Sequence, residues 1–115
     1  MPHYLFQWTY KDTSIKAMVA DPHDRKAEVR KAVEAFGGNL HQFFYAFGEF
    51  DGIAIVEFPD NESCSACSLT FGSGGGASRF WTTVLMTMEE GWQAMRKANQ
   101  VTTGYTPPSG YASHG

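Results

Sequence analysis

The sequence predicts an α+β protein with a ferredoxin-like fold, β-α-β-β-α-β, followed by an extra C-terminal helix. Two observations predict this class. The β-branched run 53–56 lies between turn residues, as buried strands do, and another apolar, aromatic run ends only a few residues before it. These two runs form a central β-hairpin, and one strand and one helix are predicted on each side of it. The result is a four-stranded antiparallel sheet.

The first strand is predicted at 4–10, because aromatic residues occupy every second position there. These residues are Tyr4, Phe6, Trp8 and Tyr10. A short amphipathic helical turn follows, with Ile15, Met18 and Val19 on one side. We therefore expect the strand to be apolar on at least one face.

The first full helix is predicted to begin at Asp21 and Pro22, residue types that are preferred at the N-cap and the first helical position. Its apolar residues form one stripe, and its charged residues lie mostly on other faces. The stripe consists of Val29, Ala32, Val33 and Phe36. The pair Gly37-Gly38 ends the helix, because glycine takes the left-handed cap conformation without steric cost.

The central hairpin is predicted to join strands at 39–47 and 52–58 through a two-residue turn at Glu49-Phe50. This turn places Phe44 opposite Ile55. One face then carries His41, Phe43, Tyr45, Phe47, Ala54, Val56 and Phe58. Both faces are largely apolar, whereas a sheet with one face in water should alternate more cleanly. We therefore expect helices on one face and a second subunit or a ligand on the other.

The second half of the chain is predicted to contain a helix that begins at 59–62, a strand at 79–87 and a helix at 88–99. The first of these helices has Cys64, Cys67, Ser68 and Phe71 on its inward side, and the last has a stripe of Met88, Trp92 and Met95. From residue 101 the sequence has no period and is rich in Gly, Pro and Ser. We expect one domain at 1–100 and a flexible or arm-like tail at 101–115.

The composition indicates a globular protein that does not bind nucleic acid. A length of 115 residues suffices for one core, and an aromatic content of 15% exceeds what one small core usually needs. The net charge of −3 provides no basic stripe for phosphates. No run reaches membrane-spanning length, and the first residues lack a signal-peptide pattern. We expect a cytoplasmic homodimer or higher oligomer with no cofactor and no membrane or nucleic-acid partner.

The central segment resembles the defining motif of the GYD-domain family. It reads Gly48-Glu49-Phe50-Asp51, then Ala54-Ile55-Val56-Glu57 and Pro59-Asp60. The pairs Trp8-Thr9, Gly37-Gly38 and Thr82-Thr83 fit the same pattern, so the likeness covers roughly 4–95. Phe50 stands where the family name implies Tyr, which removes a phenol hydroxyl. The resemblance implies a dimeric α+β barrel of uncharacterised function, and it implies no catalytic residues.

Two residues, His41 and Glu57, are candidates for catalysis. A neutral imidazole in an aromatic cavity can act as a base or a metal ligand; the alternative is a hydrogen-bonded histidine at the rim. Glu57 ends an apolar strand. A raised pKa would suit it to proton transfer, and a salt bridge to a basic group such as Arg79 would equally satisfy its carboxylate. Asp51 is expected to fix the hairpin turn by accepting backbone N–H groups.

The other motifs are expected to be structural. Cys64 and Cys67 form a C-x-x-C pair without the strand context of a thioredoxin-type site and without further zinc ligands, so we expect buried helix residues. The glycine-rich loop 72–76 follows a helix and opens a strand, the reverse of a phosphate-binding loop. No histidine pairs with another ligand at helical spacing, and no metal site is predicted.

Three functions are compatible with these features. The first is a homo-oligomeric module that binds a small apolar or aromatic ligand in a cavity lined by Trp8, His41, Phe43, Tyr45 and Trp81. The second is a cofactor-free isomerase or monooxygenase that uses His41 and Glu57. The third is an oligomer whose aromatic surface serves only as subunit interface. Bonded titratable groups inside a pocket would favour catalysis, and an aromatic cavity without them would favour binding.

Overall fold

The computed structural model describes residues 1–112, with side chains as far as residue 110. The chain divides into two compact units, Met1–Leu85 and Met86–Gly115. The predicted division into a domain at 1–100 and a tail at 101–115 stays a prediction. Among the described residues, no helix combines the length and the apolar character that crossing a membrane requires.

The first unit has the predicted ferredoxin-like order with one helix added. Its elements are β1 (His3–Tyr10), α1 (Asp12–Ala20), α2 (Arg25–Ala35), β2 (Asn39–Tyr45), β3 (Gly52–Glu57), α3 (Asn61–Ser73) and β4 (Ala77–Leu85). The strands form one antiparallel sheet in the order β2-β3-β1-β4, so β1 and β3 are central. This confirms the predicted α+β class and its four-stranded antiparallel sheet.

One face of the sheet forms the core with α2 and α3. Its fully buried strand residues alternate along β1 and β3 and are Tyr4, Phe6, Trp8, Ala54 and Val56. The buried hydrophobic side chains from outside the sheet are Val29, Val33, Phe58, Cys64 and Cys67. The hydroxyl of Tyr4 donates a 2.5 Å hydrogen bond to Oδ1 of Asn61, so the polar end of this ring is satisfied. The predicted apolar stripe of Val29, Ala32, Val33 and Phe36 is confirmed on α2, since all four residues belong to the core or pack against it.

The opposite face of the sheet retains solvent exposure along every strand, and we call it the open face. Its apolar members are Leu5, Phe44, Ile53, Ile55, Trp81 and Leu85. Phe44 and Trp81 are about half exposed, at 56% and 50%. As predicted, both faces of the hairpin are apolar, and only one of them contributes residues to the buried core.

The register of the hairpin differs from the prediction. Phe44 lies opposite Ile53 rather than Ile55. The backbone N–H of Ala46 donates a 2.9 Å hydrogen bond to the carbonyl of Asp51, so the loop between the strands is 47–50 and not a two-residue turn. The longer loop shifts the register by two positions, which keeps the side chains from Gln42 to Tyr45 on their predicted faces.

A β-bulge in β2 changes the position of His41. The pairing shifts between Leu40 and Gln42, so Leu40 lies opposite Val56 and Phe43 lies opposite Ala54. Both Leu40 and Phe43 therefore pack against the core, although they are three positions apart and a regular strand would turn one of them away. His41 lies on the open side of the sheet, where it contacts Glu57. The prediction that His41 shares a face with Val56 is wrong.

Helix α2 begins later than predicted. Its N-cap is Asp24, whose Oδ1 accepts a 3.0 Å hydrogen bond from the backbone N–H of Ala27. Asp21 instead ends α1, and its carbonyl oxygen lies 2.9 Å from Nδ1 of His23. Aspartate is a preferred N-cap residue at either position. Asp21 is the C-cap of α1, so the N-cap of α2 is Asp24. The predicted end of the helix is confirmed, since Gly37 has φ of +78°.

The second unit contains α4 (Met88–Gln100) and α5 (Pro108–Ala112). Thr87 and Glu90 form a capping box at the start of α4, which confirms the predicted helix. Its apolar stripe, formed by Met88, Trp92 and Met95, is exposed. The short helix α5 was not predicted, and residues 113–115 of the predicted tail at 101–115 lie outside the described residues.

Candidate functional site

A pocket of about 200 Å³ lies in the first unit between the sheet and the helices α2 and α3. Its wall is built mainly from the core face of β1 and β4 and from the last turn of α3. The lining residues are Phe6, Trp8, Tyr10, Arg25, Val29, Thr70, Phe71, Gly74, Gly76, Ala77 and Phe80. The pocket is thus an extension of the aromatic core toward the surface.

Phe80 is the centre of the aromatic wall. Its ring centroid lies 5.0 Å from that of Phe6, 6.0 Å from Trp8 and 5.4 Å from Phe71. The Trp8 and Phe71 rings are stacked with it at interplanar angles of 11° and 26°. Because the four rings come from β1, β4 and α3, the wall is fixed by the sheet and the helix together.

Arg25 provides the charge at this pocket. It is the one charged side chain among the described lining residues. Within the part of the chain that the structure describes, it forms no ion pair with a carboxylate. Its Nη1 lies 3.2 Å from Nε2 of His23. The guanidinium therefore offers hydrogen-bond donors to an anionic group in the pocket.

The glycine at the start of β3 makes room for the indole of Trp8. A Cβ atom at Gly52 would lie 2.3 Å from Cε2 and Cζ2 of Trp8. No side chain fits at that distance, so the indole lies directly on the backbone of β3. This close approach holds one ring of the pocket wall in place.

The predicted ligand-binding residues do not form one site. Trp8 lines the pocket, and its ring lies 5.5 Å from that of Phe43. Tyr45 contacts Phe43 at 5.3 Å but, like Phe43, is not part of the lining. His41 and Trp81 lie on the open side of the sheet, away from these three residues. The structure therefore brings three of the predicted residues together and separates two.

The two catalytic candidates form a hydrogen-bonded pair on the open side. Nε2 of His41 contacts Oε1 of Glu57. The hydrogen bond from His41 lowers the pKa of Glu57, an effect that burial opposes and the nearby His3 increases. The lowered pKa is opposite in direction to the one that proton transfer would need. The structural alternative for Glu57 was a pairing with a basic group such as Arg79; the partner is His41, and Arg79 pairs instead with Glu49 at 3.5 Å.

The motif residues tie the hairpin loop to the neighbouring strands. Oδ2 of Asp51 accepts a 2.9 Å hydrogen bond from the backbone N–H of Tyr10, and the N–H of Asp51 donates to the carbonyl of Trp8 at 2.8 Å. The predicted backbone contact of Asp51 is therefore present, but its partner is in β1. Phe50 packs on Trp81, with ring centroids 5.1 Å apart, beneath the guanidinium of Arg79.

The remaining motif positions have smaller roles. Gly48 has open space where a side chain would project. Pro59 directly precedes Asp60, the N-cap of α3, and its ring lies beside Gly37 at the end of α2. These residues shape the loops around the sheet.

The C-x-x-C pair is buried. Cys64 and Cys67 are both free thiols on the inward side of α3. Burial raises the pKa of the Cys64 thiol to about 11 and that of Cys67 to about 12. Reactive thiols have a lowered pKa, so the expectation of a packing role agrees with these values.

Phe80 and Arg25 were missed as pocket residues. Phe80 and Trp81 are adjacent aromatic residues in β4, and only the pairing of Phe80 with Trp8 decides which of them faces the core. Arg25 resembles any charged residue at the start of an amphipathic helix. No sequence signal distinguishes it from Lys26 or Arg30, because its position depends on how α2 crosses the sheet.

Comparisons with known proteins place the chain in a family and a fold. The family model for the GYD domain matches residues 4–95. No curated protein matches. Among solved structures, the hypothetical protein PHS023 from Pyrococcus horikoshii has a TM-score of 0.51 at 12% identity, over 76% of this chain and 92% of that one. At this identity the likeness shows the fold alone.

Two further solved structures are more distant in shape. FFRP-DM1 has a TM-score of 0.48 at 11% identity, over 75% of this chain and all of that one. MtbAldR has a TM-score of 0.49 at 10% identity, over 92% of this chain and 58% of that one.

Proposed function

The chain belongs to the GYD-domain family, whose function is uncharacterised, and we propose that this member is a homo-oligomeric module that binds a small aromatic ligand. The proposed site is the pocket between the sheet and the helices α2 and α3. The observation that carries the proposal is its aromatic wall, in which Phe80 is stacked with Trp8 and Phe71.

The size of the pocket limits the ligand. Sites for drug-sized molecules have volumes of about 300–1,000 Å³, whereas this pocket has about 200 Å³. We therefore expect a compound with a single ring. Stacked and edge-to-face contacts with the wall would hold that ring.

The chemistry of Arg25 adds a second feature to the ligand. A guanidinium binds carboxylates through two parallel hydrogen bonds, and Arg25 has no carboxylate partner within the described residues. An aromatic carboxylate would fill the apolar wall with its ring and pair its charge with Arg25. We therefore expect the pocket to prefer such an anion over a neutral compound of the same shape.

Binding is favoured over catalysis by the groups around the pocket. The titratable side chains among its described lining residues are Tyr10 and Arg25, and no hydrogen bond joins them. His41 and Glu57, the residues expected to catalyse an isomerase or monooxygenase reaction, are on the other side of the sheet. The pocket thus matches an aromatic cavity without bonded acid–base pairs.

The open face supports the oligomeric part of the proposal. Exposed apolar patches on soluble domains mark interaction sites, and Phe44 and Trp81 expose about half of their surface there. Two such faces packed together would make a dimeric α+β barrel. In a purely structural oligomer the same face would associate, but the pocket would bind nothing.

Titration of the ¹⁵N-labelled protein with benzoate tests the proposal. We expect saturable shifts of the amide signals of Thr70, Gly74 and Ala77, with a dissociation constant of about 1 mM or tighter. Benzamide, which has the same ring without the charge, should bind more weakly. Arg25→Met should weaken the binding of benzoate and leave that of benzamide unchanged.

A matched pair of variants on α3 provides the control. Thr70→Phe places a ring in the pocket, whereas Leu69→Phe adds the same ring at a neighbouring position that is 72% exposed and outside the lining. Only Thr70→Phe should abolish binding. Equal affinity in the two variants, or the absence of saturable shifts in the unaltered protein, would contradict the proposal.

A further inference from the structure

Three metal-binding side chains meet at one end of the open face, on the opposite side of the sheet from the pocket. His3 begins β1, His41 lies at the bulge of β2 and Glu57 ends β3. One ligand atom from each side chain lies within 4.8 Å of the other two. We propose that these residues, the His3–His41–Glu57 site, bind a divalent transition-metal ion such as Zn²⁺.

The three ligands are held by three adjacent strands. His3 lies directly opposite Glu57 in the ladder between β1 and β3. His41 reaches the same carboxylate from the other side, because the bulge turns its side chain toward Glu57. The rings of His3 and His41 are stacked, with centroids 5.4 Å apart. Side chains on strands are positioned more accurately than side chains on loops, which favours a preformed site.

The donor atoms suit a transition metal. Two imidazole nitrogens and one carboxylate oxygen form the ligand set of many catalytic zinc sites, in which water occupies the fourth position. Bond lengths of about 2.0–2.2 Å place the ligand atoms of a tetrahedral site roughly 3.4 Å apart. The ion would therefore replace the hydrogen bond between His41 and Glu57, whose atoms must move apart, while ligand atoms up to 4.8 Å apart must approach each other. Imidazole favours Zn²⁺, Co²⁺, Ni²⁺ and Cu²⁺ over Mg²⁺ and Ca²⁺.

The surroundings leave room for the ion and for water. The side chain of His41 is 42% exposed and that of Glu57 is 19% exposed, so solvent reaches the cluster. Trp81 lies opposite Gln7 in the sheet, and Gln7 is four positions from His3 in β1. Four positions correspond to roughly 13 Å along the strand. The site is therefore at the rim of the open face, and the ion would not displace the apolar residues in its middle.

Cobalt provides a direct test at neutral pH. Adding Co²⁺ to the metal-free protein should produce visible d–d absorption that saturates at one ion per chain, and Zn²⁺ should remove it. His41→Ala and Glu57→Gln should each weaken binding at least about tenfold. His23→Ala is the control, because His23 contacts Asp21 and Arg25 at the link between α1 and α2, and the affinity of this variant for Co²⁺ should be unchanged.

Two results would overturn the proposal. One is the absence of d–d absorption at about 100 µM Co²⁺, a concentration well above the dissociation constant expected of a preformed three-ligand site. The other is the same loss of affinity in His23→Ala as in His41→Ala. Because a variant can lose its fold, the unaltered protein supplies a second measurement. Long-range ¹H–¹⁵N spectra should show Zn²⁺-dependent shifts of the ring nitrogens of His3 and His41 but not of His23.

Discussion

The pocket wall depends on the absence of a side chain at Gly52. The sequence predicts Gly52 as a turn residue before a strand, and the structure shows a different requirement. Its φ is not in the left-handed region, but a Cβ there would lie 2.3 Å from the indole of Trp8. The glycine is needed for close approach, a role that depends on the neighbouring strand and is therefore invisible in the local sequence.

Replacing Gly52 tests this role. Gly52→Ala should lower the free energy of unfolding by about 1–3 kcal/mol, because Trp8 must leave its position to accept the new methyl group. Gly48→Ala is the matched control, since nothing lies within 4 Å of a Cβ at that position. It should change stability by less than about 0.5 kcal/mol. Urea denaturation followed by circular dichroism measures both values, and equal losses would show that the indole does not constrain Gly52.

The buried thiols predict how stability depends on alkaline pH. Thiols in an unfolded chain titrate near pH 8.5, whereas burial raises the pKa of Cys64 to about 11 and that of Cys67 to about 12. Between these values the unfolded chain releases protons that the folded chain retains. The contribution of the two buried thiols to the free energy of unfolding is therefore complete below about pH 8.5. It is lost as the pH rises toward the pKa values of the folded protein.

Unfolding free energies of the unaltered protein and of Cys67→Ala, measured between about pH 8 and 10, check this dependence, since the tyrosines, whose pKa in the unfolded chain is near 10, contribute to both proteins alike. Stability should fall across the range, and the fall should be shallower for Cys67→Ala, whatever its effect at neutral pH. A variant with an unchanged slope would mean that Cys67 is not buried in solution. Slow reaction of the native thiols with a disulfide reagent, and fast reaction after unfolding, would independently support the burial of both thiols.

At the scale of the elements, the sequence predicts what local patterns determine. The aromatic alternation of β1 and the Gly37-Gly38 end of α2 are local, and the structure confirms both. The bulge in β2 arises because Leu40 and Phe43 both pack against the core. The bulge therefore depends on the pairing of β2 with β3, which the sequence of β2 alone does not show. For this reason the prediction put His41 on the wrong face.

The candidate sites differ in the same way. Trp8 was predicted from its own strand and lines the pocket, whereas Arg25 depends on how α2 lies against β1. The metal cluster joins His3, His41 and Glu57, which are far apart in the chain and meet only through strand pairing. The expectation of no metal site came from spacing along helices, and such spacing carries no information about ligands on three strands.

At the scale of the whole molecule, the open face is the basis for expecting self-association. Its apolar residues in the first unit include Phe44 and Trp81, which remain about half exposed. Stable interfaces bury about 800 Å² on each partner, and a four-stranded sheet face is a natural unit of that kind. In a two-fold symmetric dimer the same patch occurs on both partners, so every substitution acts twice.

A charge on the open face should therefore dissociate the proposed dimer. We expect the unaltered protein to sediment as a dimer at about 50 µM, within the range of ordinary homodimer affinities. Phe44→Lys places two ammonium groups in an apolar interface and should raise the dissociation constant at least about 100-fold. Phe47→Lys makes the same chemical change in the hairpin loop, where Phe47 is fully exposed, and should leave the dimer intact. If the unaltered protein is a monomer at every concentration, the proposal of a dimeric barrel is wrong. If both lysine variants dissociate equally, the interface does not lie on the open face. Binding of benzoate to a monomer would still support the proposed ligand pocket.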